Sequence, residues 1–323
     1  MKSKRNRLLL FLILTGVVAP LAVNAQLYPV RGSYLFNDYY LNPATTGSKI
    51  FNPFWLSYQK PNPGLDNSPV HQSVSYHSLI SGPPNHRTMG MGGGLEYHGI
   101  GPVSYTRLQL SYAYHAEVKR RYNKCAFGLA LGATHYAIQK DKLVVADMND
   151  PLIMEMTSTE MRWNASVGML FYSDRYGSQR YTTDTYHLGW SVMNILGPGE
   201  KSGNGSFNSQ DQSTQVVLSG AYGRRFKKVW MIEPLMLIRM GAAGFQADIT
   251  TRVYYHYMDN ANVWTGLSLR TGDAFAPVFG LTHQNVSVGY AFEIPVSDIR
   301  AYTSPAHAIH IGILMNRRLI KTL

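Results

Sequence analysis

Residues 103–116 read VSYTRLQLSYAYHA. Taken by parity, the even positions include Thr106, Leu108, Leu110, Tyr112 and Tyr114. The odd positions include Arg107, Gln109, Ser111, Ala113 and His115. Side chains on a strand alternate between two faces. The stretch therefore predicts a strand with one apolar face ending in aromatics and one polar, cationic face. A strand of a soluble sandwich carries the same alternation, so the fold is decided by how often the pattern recurs and by what precedes it.

It recurs along the whole chain. On 159–173, Trp163, Ala165, Val167, Met169 and Phe171 oppose Asn164, Ser166 and Gly168. On 184–194, Tyr186, Leu188, Trp190 and Val192 oppose His187, Gly189 and Ser191. On 124–138, Phe127, Leu129 and Leu131 oppose Gly128, Ala130, Gly132 and Thr134. On 285–294, Val286, Val288, Tyr290 and Phe292 oppose Ser287, Gly289, Ala291 and Glu293. The remaining candidate strands are 53–60, 69–79, 88–97, 103–116, 212–227, 229–240, 245–257, 261–271, 274–283 and 306–316. Fourteen in all is an even number, as in single-chain outer-membrane barrels. Many exceed the ~9–11 residues that a tilted membrane strand needs. Strand 229–240 is the weak member, because Pro234 interrupts it and proline in a sheet needs an edge or a bulge.

Lys2, Lys4, Arg5 and Arg7 precede a nearly unbroken apolar run over 8–23, closed by Val23-Asn24-Ala25. This is the layout of a secretory signal peptide with cleavage between Ala25 and Gln26; the run is short for a membrane span. Removing it takes four positive charges and no acidic ones, and the net charge falls from +11 to +7. A single cysteine, Cys125, excludes an internal disulfide framework. With 22 Tyr and 29 Gly and no later apolar run of spanning length, the composition suits strands and tight turns, not membrane helices. The expected organisation is a signal peptide at 1–25, an N-terminal plug or periplasmic segment at 26–50, and a transmembrane antiparallel β-barrel at 51–323. In the second segment, Tyr34-Leu35-Phe36-Asn37 and Leu41-Asn42-Pro43-Ala44 read as a short helix and a turn.

If the first strand runs outward, the connections 61–68, 139–158, 195–211 and 295–305 lie outside, and the three longest are all among them, as barrels of this kind have. Lys119, Arg120, Arg121, Lys124, Arg224, Arg225, Lys227 and Lys228, with Arg317, Arg318 and Lys321, then fall on the periplasmic rim. Asp66, Asp141, Asp147, Asp150, Glu155, Glu200, Asp211, Asp273 and Asp298 fall outside. A basic rim of this kind either snorkels to lipid headgroups or docks an acidic periplasmic partner.

An ordered set of short motifs resembles the PorP/SprF family of type IX secretion outer-membrane proteins. It begins with Tyr34-Leu35-Phe36-Asn37 through Leu41-Asn42-Pro43-Ala44 and Gly47-Ser48, then Ile100-Gly101-Pro102 and Tyr112-Ala113-Tyr114. It continues with Phe171-Tyr172-Ser173-Asp174, the run Leu188-Gly189-Trp190-Ser191-Val192-Met193-Asn194 and the turn Arg270-Thr271-Gly272-Asp273-Ala274. Val288-Gly289-Tyr290-Ala291-Phe292, Ser297-Asp298-Ile299 and the stretch 304–310 complete it. Two places depart from the family pattern: Gln59-Lys60-Pro61 after the first strand, and Met315-Asn316-Arg317-Arg318 at the end of the last. The resemblance implies a barrel of fatty-acid-transporter shape with an N-terminal plug, sited in the Gram-negative outer membrane. It also implies contact with periplasmic parts of the secretion machine and a role in exporting cargo such as adhesins.

No catalytic or cofactor motif accompanies it. Gly90-Met91-Gly92-Gly93-Gly94 lacks the Lys and the helix of a phosphate loop, and reads instead as a strand of small residues that another backbone or the plug approaches closely. No zinc-ligand spacing or nucleophile elbow is present, so no metal, cofactor or catalytic residue is expected, and a basic chain without a nucleic-acid motif in an exported protein is no nucleic-acid binder. By parity Arg107, His115, Arg252, His256, Arg270, Glu293 and His310 line the lumen, either pairing among themselves and with the plug or contacting what passes. The reading is therefore a non-enzymatic secretion component whose partners are outer-membrane lipid, periplasmic machine parts and cargo. A porin or transporter for small hydrophobic or polar solutes is the alternative, and an exported soluble β-protein a further rival.

Overall fold

The computed structural model describes residues 32–61, 63–64, 68–80, 89–118, 123–139, 159–173, 184–196, 213–226, 229–241, 244–258, 261–296, 300 and 303–315. Its strands are β1 (Asn52–Lys60), β2 (Val70–Ile80), β3 (Met89–Ile100), β4 (Val103–Val118), β5 (Asn123–Ile138), β6 (Thr159–Ser173), β7 (Thr185–Met193), β8 (Gln215–Phe226), β9 (Trp230–Gly241), β10 (Gly244–Met258), β11 (Ala261–Arg270), β12 (Ala274–His283), β13 (Val286–Pro295) and β14 (Ala306–Met315). Each pairs antiparallel with its sequence neighbours, and β1 closes on β14 from Asn52↔Met315 to Lys60↔His307. A closed sheet leaves no unpaired edge, which is the condition for strands to cross lipid.

Burial inverts the pattern of a soluble protein. On β4, Leu110 is 61% exposed while Arg107 is 4%. Leu108, Tyr112 and Tyr114 are also exposed, and Gln109, Ser111 and His115 are buried. The same inversion holds at Phe127, Leu129 and Leu131 on β5, Trp163 on β6, Leu188 on β7 and Ile309, Ile311 and Ile313 on β14. Apolar side chains that face outward around a closed ring with a polar interior are stable only where lipid replaces water. Among the described residues no helix is long and apolar enough to cross a membrane.

Pro234 sits within β9 without ending it. Pairing with β10 continues through Thr251↔Pro234. Pairing with β8 runs from Gln215↔Gly241 to Ala221↔Leu235 and resumes in the same register at Arg224↔Ile232. The missing N–H is thus absorbed as a short lapse toward one neighbour. Pro277 does the same on β12, where pairing with β13 passes from Phe275↔Ile294 to Val278↔Ala291.

The segment before β1 lies inside the ring. It forms two 3-10 turns, Gly32–Leu35 and Pro43–Thr45, where the sequence predicts a short helix and a turn. Three or four residues cannot repay the nucleation of an α-helix in isolation, so the chain takes single tight turns and satisfies its remaining groups on the wall. The Asn42 side chain caps the second turn by accepting from the Ala44 N–H at 2.9 Å.

Candidate functional site: the occupied lumen and its rims

The inward-facing residues of the barrel make a polar wall to which the N-terminal segment is bound around most of the circumference. The Tyr34 hydroxyl meets Thr250 Oγ1 at 3.2 Å, and Thr250 donates to Ser268 Oγ at 2.8 Å. Asn37 donates to Ser75 at 2.8 Å, and the Tyr40 hydroxyl donates to the Val74 carbonyl at 2.5 Å. Asn42 donates to the carbonyls of Met169 and Trp190 at 3.0 and 3.3 Å. Ser191 donates to the Leu41 carbonyl at 2.6 Å. Thr46 and Ser111 hydroxyls lie 2.8 Å apart.

Glycines let the backbones meet. A Cβ on Gly90 would fall 2.2 Å from the Thr46 carbonyl oxygen, and one on Gly289 would fall 1.9 Å from Cε1 of Phe36. A Cβ on Gly94 would meet the Tyr40 hydroxyl at 2.4 Å. A Cβ on Gly92 would fall 2.7 Å from the His77 Cβ and 2.9 Å from the Tyr39 ring, so each inward position of the glycine run 90–94 has a close partner.

The seven lumen residues expected from parity all sit on inward-facing strand positions, and the structure gives each a setting. His115 Nε2 donates to the Thr46 carbonyl at 2.9 Å; that fixes the tautomer and leaves Nδ1 to accept from the Tyr172 hydroxyl at 2.8 Å. His310 Nδ1 lies 2.9 Å from Ser57 Oγ, and its ring stacks on Phe36 with centroids 4.2 Å apart. Arg252 donates to the Leu35 carbonyl at 2.6 Å and pairs with Glu233 at 2.6 Å. Its guanidinium lies over the rings of Tyr254 and Trp264. The His256 ring lies parallel to that of Tyr254, 6.5 Å away. Arg107 faces Glu96 at 3.6 Å and Thr134 at 3.4 Å.

Arg270 anchors a second network, reaching Asp248 at 3.2 Å, Asp273 at 3.0 Å and Glu293 at 3.5 Å, while Arg239 holds the other Asp248 oxygen at 3.5 Å. Asp273, expected in the solvated outer rim, is instead 6% exposed and turned inward onto Arg270. Glu96, Glu233, Asp248 and Arg239, all buried, join the seven expected lumen residues. The parity rule places them there, but only the cross-strand register shows which charge meets which.

Burial raises the Tyr34 and Tyr39 hydroxyls to about 12. Burial lowers Lys49, against the opposing pull of Asp38, which it contacts at 2.7 Å. Among the described residues no group of three or more His, Cys, Asp or Glu could hold a metal ion.

Of the expected docking rim, Lys124, Arg224 and Arg225 are described, at the start of β5 and the end of β8. The Arg225 N–H donates to Asp184 Oδ1 at 3.3 Å, and Tyr222 donates to the other Asp184 oxygen at 2.8 Å. Lys119, Arg120, Arg121, Lys227 and Lys228 lie outside the described residues, as do Ala25 and Gln26 and most of the longest outer connections.

The sequence matches the family described as type IX secretion system membrane protein PorP/SprF over residues 23–313. No curated protein sequence matches it. Solved structures similar to it include a FadL homologue of Pseudomonas aeruginosa, at 9% identity over 91% of this chain and 96% of that one, with a TM-score of 0.49. The toluene transporter TodX of Pseudomonas putida gives 11% identity, 88% and 93% coverage and a TM-score of 0.42. The outer-membrane protein Omp33 of Acinetobacter baumannii gives 7%, 84%, 100% and 0.38. Likeness at this level carries nothing about what this chain binds.

Proposed function

The chain belongs to the PorP/SprF family of type IX secretion system membrane proteins, and from that premise we propose that it is a non-enzymatic component of the apparatus in the outer membrane. It docks periplasmic machine parts on its basic rim and assists export or surface attachment of cargo such as adhesins. The outer connections, chiefly 139–158 and 195–211, meet the cargo. Residues 1–25 are a signal peptide, 26–50 a plug and 51–323 the barrel.

One observation carries this reading over that of a solute channel: the N-terminal segment is held inside the ring by hydrogen bonds to β2, β4, β6, β7 and β10. An occupied lumen opposes free passage of solute and leaves the rims as the surfaces open to partners. Excess cations on one rim favour acidic partners and speed their encounter. The test is a charge reversal of Arg120, Arg121, Arg224 and Arg225 to Glu, with the barrel shown to be inserted by heat-modifiable migration. Recovery of periplasmic secretion components in a pull-down should fall. Undiminished recovery counts against the docking role.

A further inference from the structure

Parity sorts the cations of the strands onto two faces. Along β8, Ala221 and Gly223 turn inward, and Tyr222, Arg224 and Phe226 turn outward. Exposure agrees: Tyr222 is 46% and Phe226 59% exposed, and Arg224 between them is exposed too. Arg225 takes the inward parity, as does Lys124 on β5, opposite Glu117. Arg107, Arg162, Arg239, Arg252 and Arg270 also take it. Among the Lys and Arg described in strands, only Lys60 shares the outward parity of Arg224, and it finishes β1 at the opposite end of the barrel.

The outward face of the barrel meets lipid, so Arg224 is a cation on the lipid side. Its neighbours give its depth. Tyr222 and Phe226 bracket it on β8, and the exposed Ile232 pairs with it on β9. Phe226 pairs with Trp230, whose ring lies 4.7 Å from that of Tyr255. Exposed aromatics gathered at strand ends mark the level of the headgroups. An arginine among them lays its stem along apolar surface and keeps its charge at that level. Asp184, which precedes β7 on the same face, already accepts from the Tyr222 hydroxyl at 2.8 Å and the Arg225 N–H at 3.3 Å. Arg224 itself has no ion pair among the described residues. Its guanidinium is a planar fork that fits two oxygens of a phosphate, and phosphate is the anion that phospholipid headgroups carry at this depth.

We infer that Arg224, with Tyr222, Phe226 and Trp230 around it, holds the phosphate of an anionic phospholipid in the periplasmic leaflet. In a zwitterionic lipid the phosphate already has its own ammonium beside it, so an anionic headgroup gains more from this contact. The inference goes beyond the docking role and divides the basic rim by face. Arg224 belongs to the membrane, while Arg225 and Lys124, of inward parity, remain for a soluble partner. It takes β8 to end on the periplasmic side, as the docking role does.

The experiment is native mass spectrometry of the full mature protein, released from detergent with phosphatidylglycerol and phosphatidylethanolamine of matched acyl chains at equal concentration. The wild type should retain phosphatidylglycerol over phosphatidylethanolamine by about fivefold, the effect of one basic residue at a lipid surface. Arg224→Gln, on an exposed face, leaves the ladder untouched and should abolish that preference. Arg224→Lys keeps the charge without the fork and should retain part of it. Arg225→Gln and Lys60→Gln should leave it unchanged. Equal retention of the two lipids by the wild type overturns the inference, as does a preference that survives Arg224→Gln. The pull-down of periplasmic components, repeated with Arg224→Gln, separates this result from the docking role. Recovery should hold while the lipid preference is lost; lost recovery with the preference intact assigns Arg224 to the soluble partner and overturns the inference.

Discussion

Gly128 on β5 and Ala44 of the N-terminal segment touch backbone to backbone: a Cβ on Gly128 would lie 2.2 Å from the Ala44 nitrogen. Neither backbone can yield cheaply, since Ala44 sits in the capped turn and Gly128 in the middle of a ladder paired on both sides. Gly128→Val should therefore displace the segment while the barrel persists, at a cost of at least about 1–3 kcal/mol for overpacking. Limited proteolysis with mass spectrometry checks this: cleavage within 32–49 should rise sharply, with heat-modifiable migration retained. Gly64→Val, where nothing lies within 4 Å of the added carbon, is the control and should behave as wild type.

Arg252 links the same segment to the wall. Arg252→Gln removes the guanidinium from the Leu35 carbonyl and leaves Glu233 without its 2.6 Å partner. Breaking a largely buried pair on one side costs about 3–5 kcal/mol, here because Glu233 keeps, among the described residues, only the neutral Tyr254 hydroxyl, at 3.0 Å, against its charge. Thermal unfolding in detergent should show a large loss for Arg252→Gln and a smaller one for the double variant Arg252→Gln, Glu233→Gln. Additive losses would mean that the two side chains do not act as a pair.

The outward face gives a third expectation. Leu110 lies near the middle of β4 and is 61% exposed. An arginine there is tolerated in water, whereas at a bilayer midplane it costs about 2–4 kcal/mol. Denaturant titration of Leu110→Arg in lipid vesicles should show that loss, and an unchanged midpoint would mean that this surface does not face lipid.

The barrel was legible because alternation is local. Each strand writes its two faces into a few consecutive residues, and all fourteen expected strands appear within a few residues of the observed ends. Pro234 weakened the reading of β9, yet the barrel absorbs it, since a ladder can lapse toward one neighbour and hold toward the other. The charge networks were less legible. Tyr34 meets Thr250, 216 residues away, only because the ring closes. Asp273 reads as a turn residue until Arg270, three positions earlier, draws it inward. The glycines at 128, 168 and 289 read as small residues on a polar face, and their purpose becomes visible only with the N-terminal segment against them.

Tyr34 and Tyr39 give a pH expectation. Burial raises both hydroxyls from 10.0 to about 12, so the folded state favours their neutral forms. The stability they contribute is fully present below pH 10 and is lost as the pH rises from 10 toward 12. Tyrosinate absorbance should show two late-titrating groups that disappear in Tyr34→Phe, Tyr39→Phe. Protease access to residues 32–49 should rise over the same interval in the wild type.

Residues 32–49, bound inside the ring, close the lumen to ions. Ion conductance of the purified mature protein in planar lipid bilayers tests it most directly. The expected result is no sustained current from the wild type and current from Gly128→Val. Steady conductance from the wild type, with the N-terminal segment intact, would contradict the account.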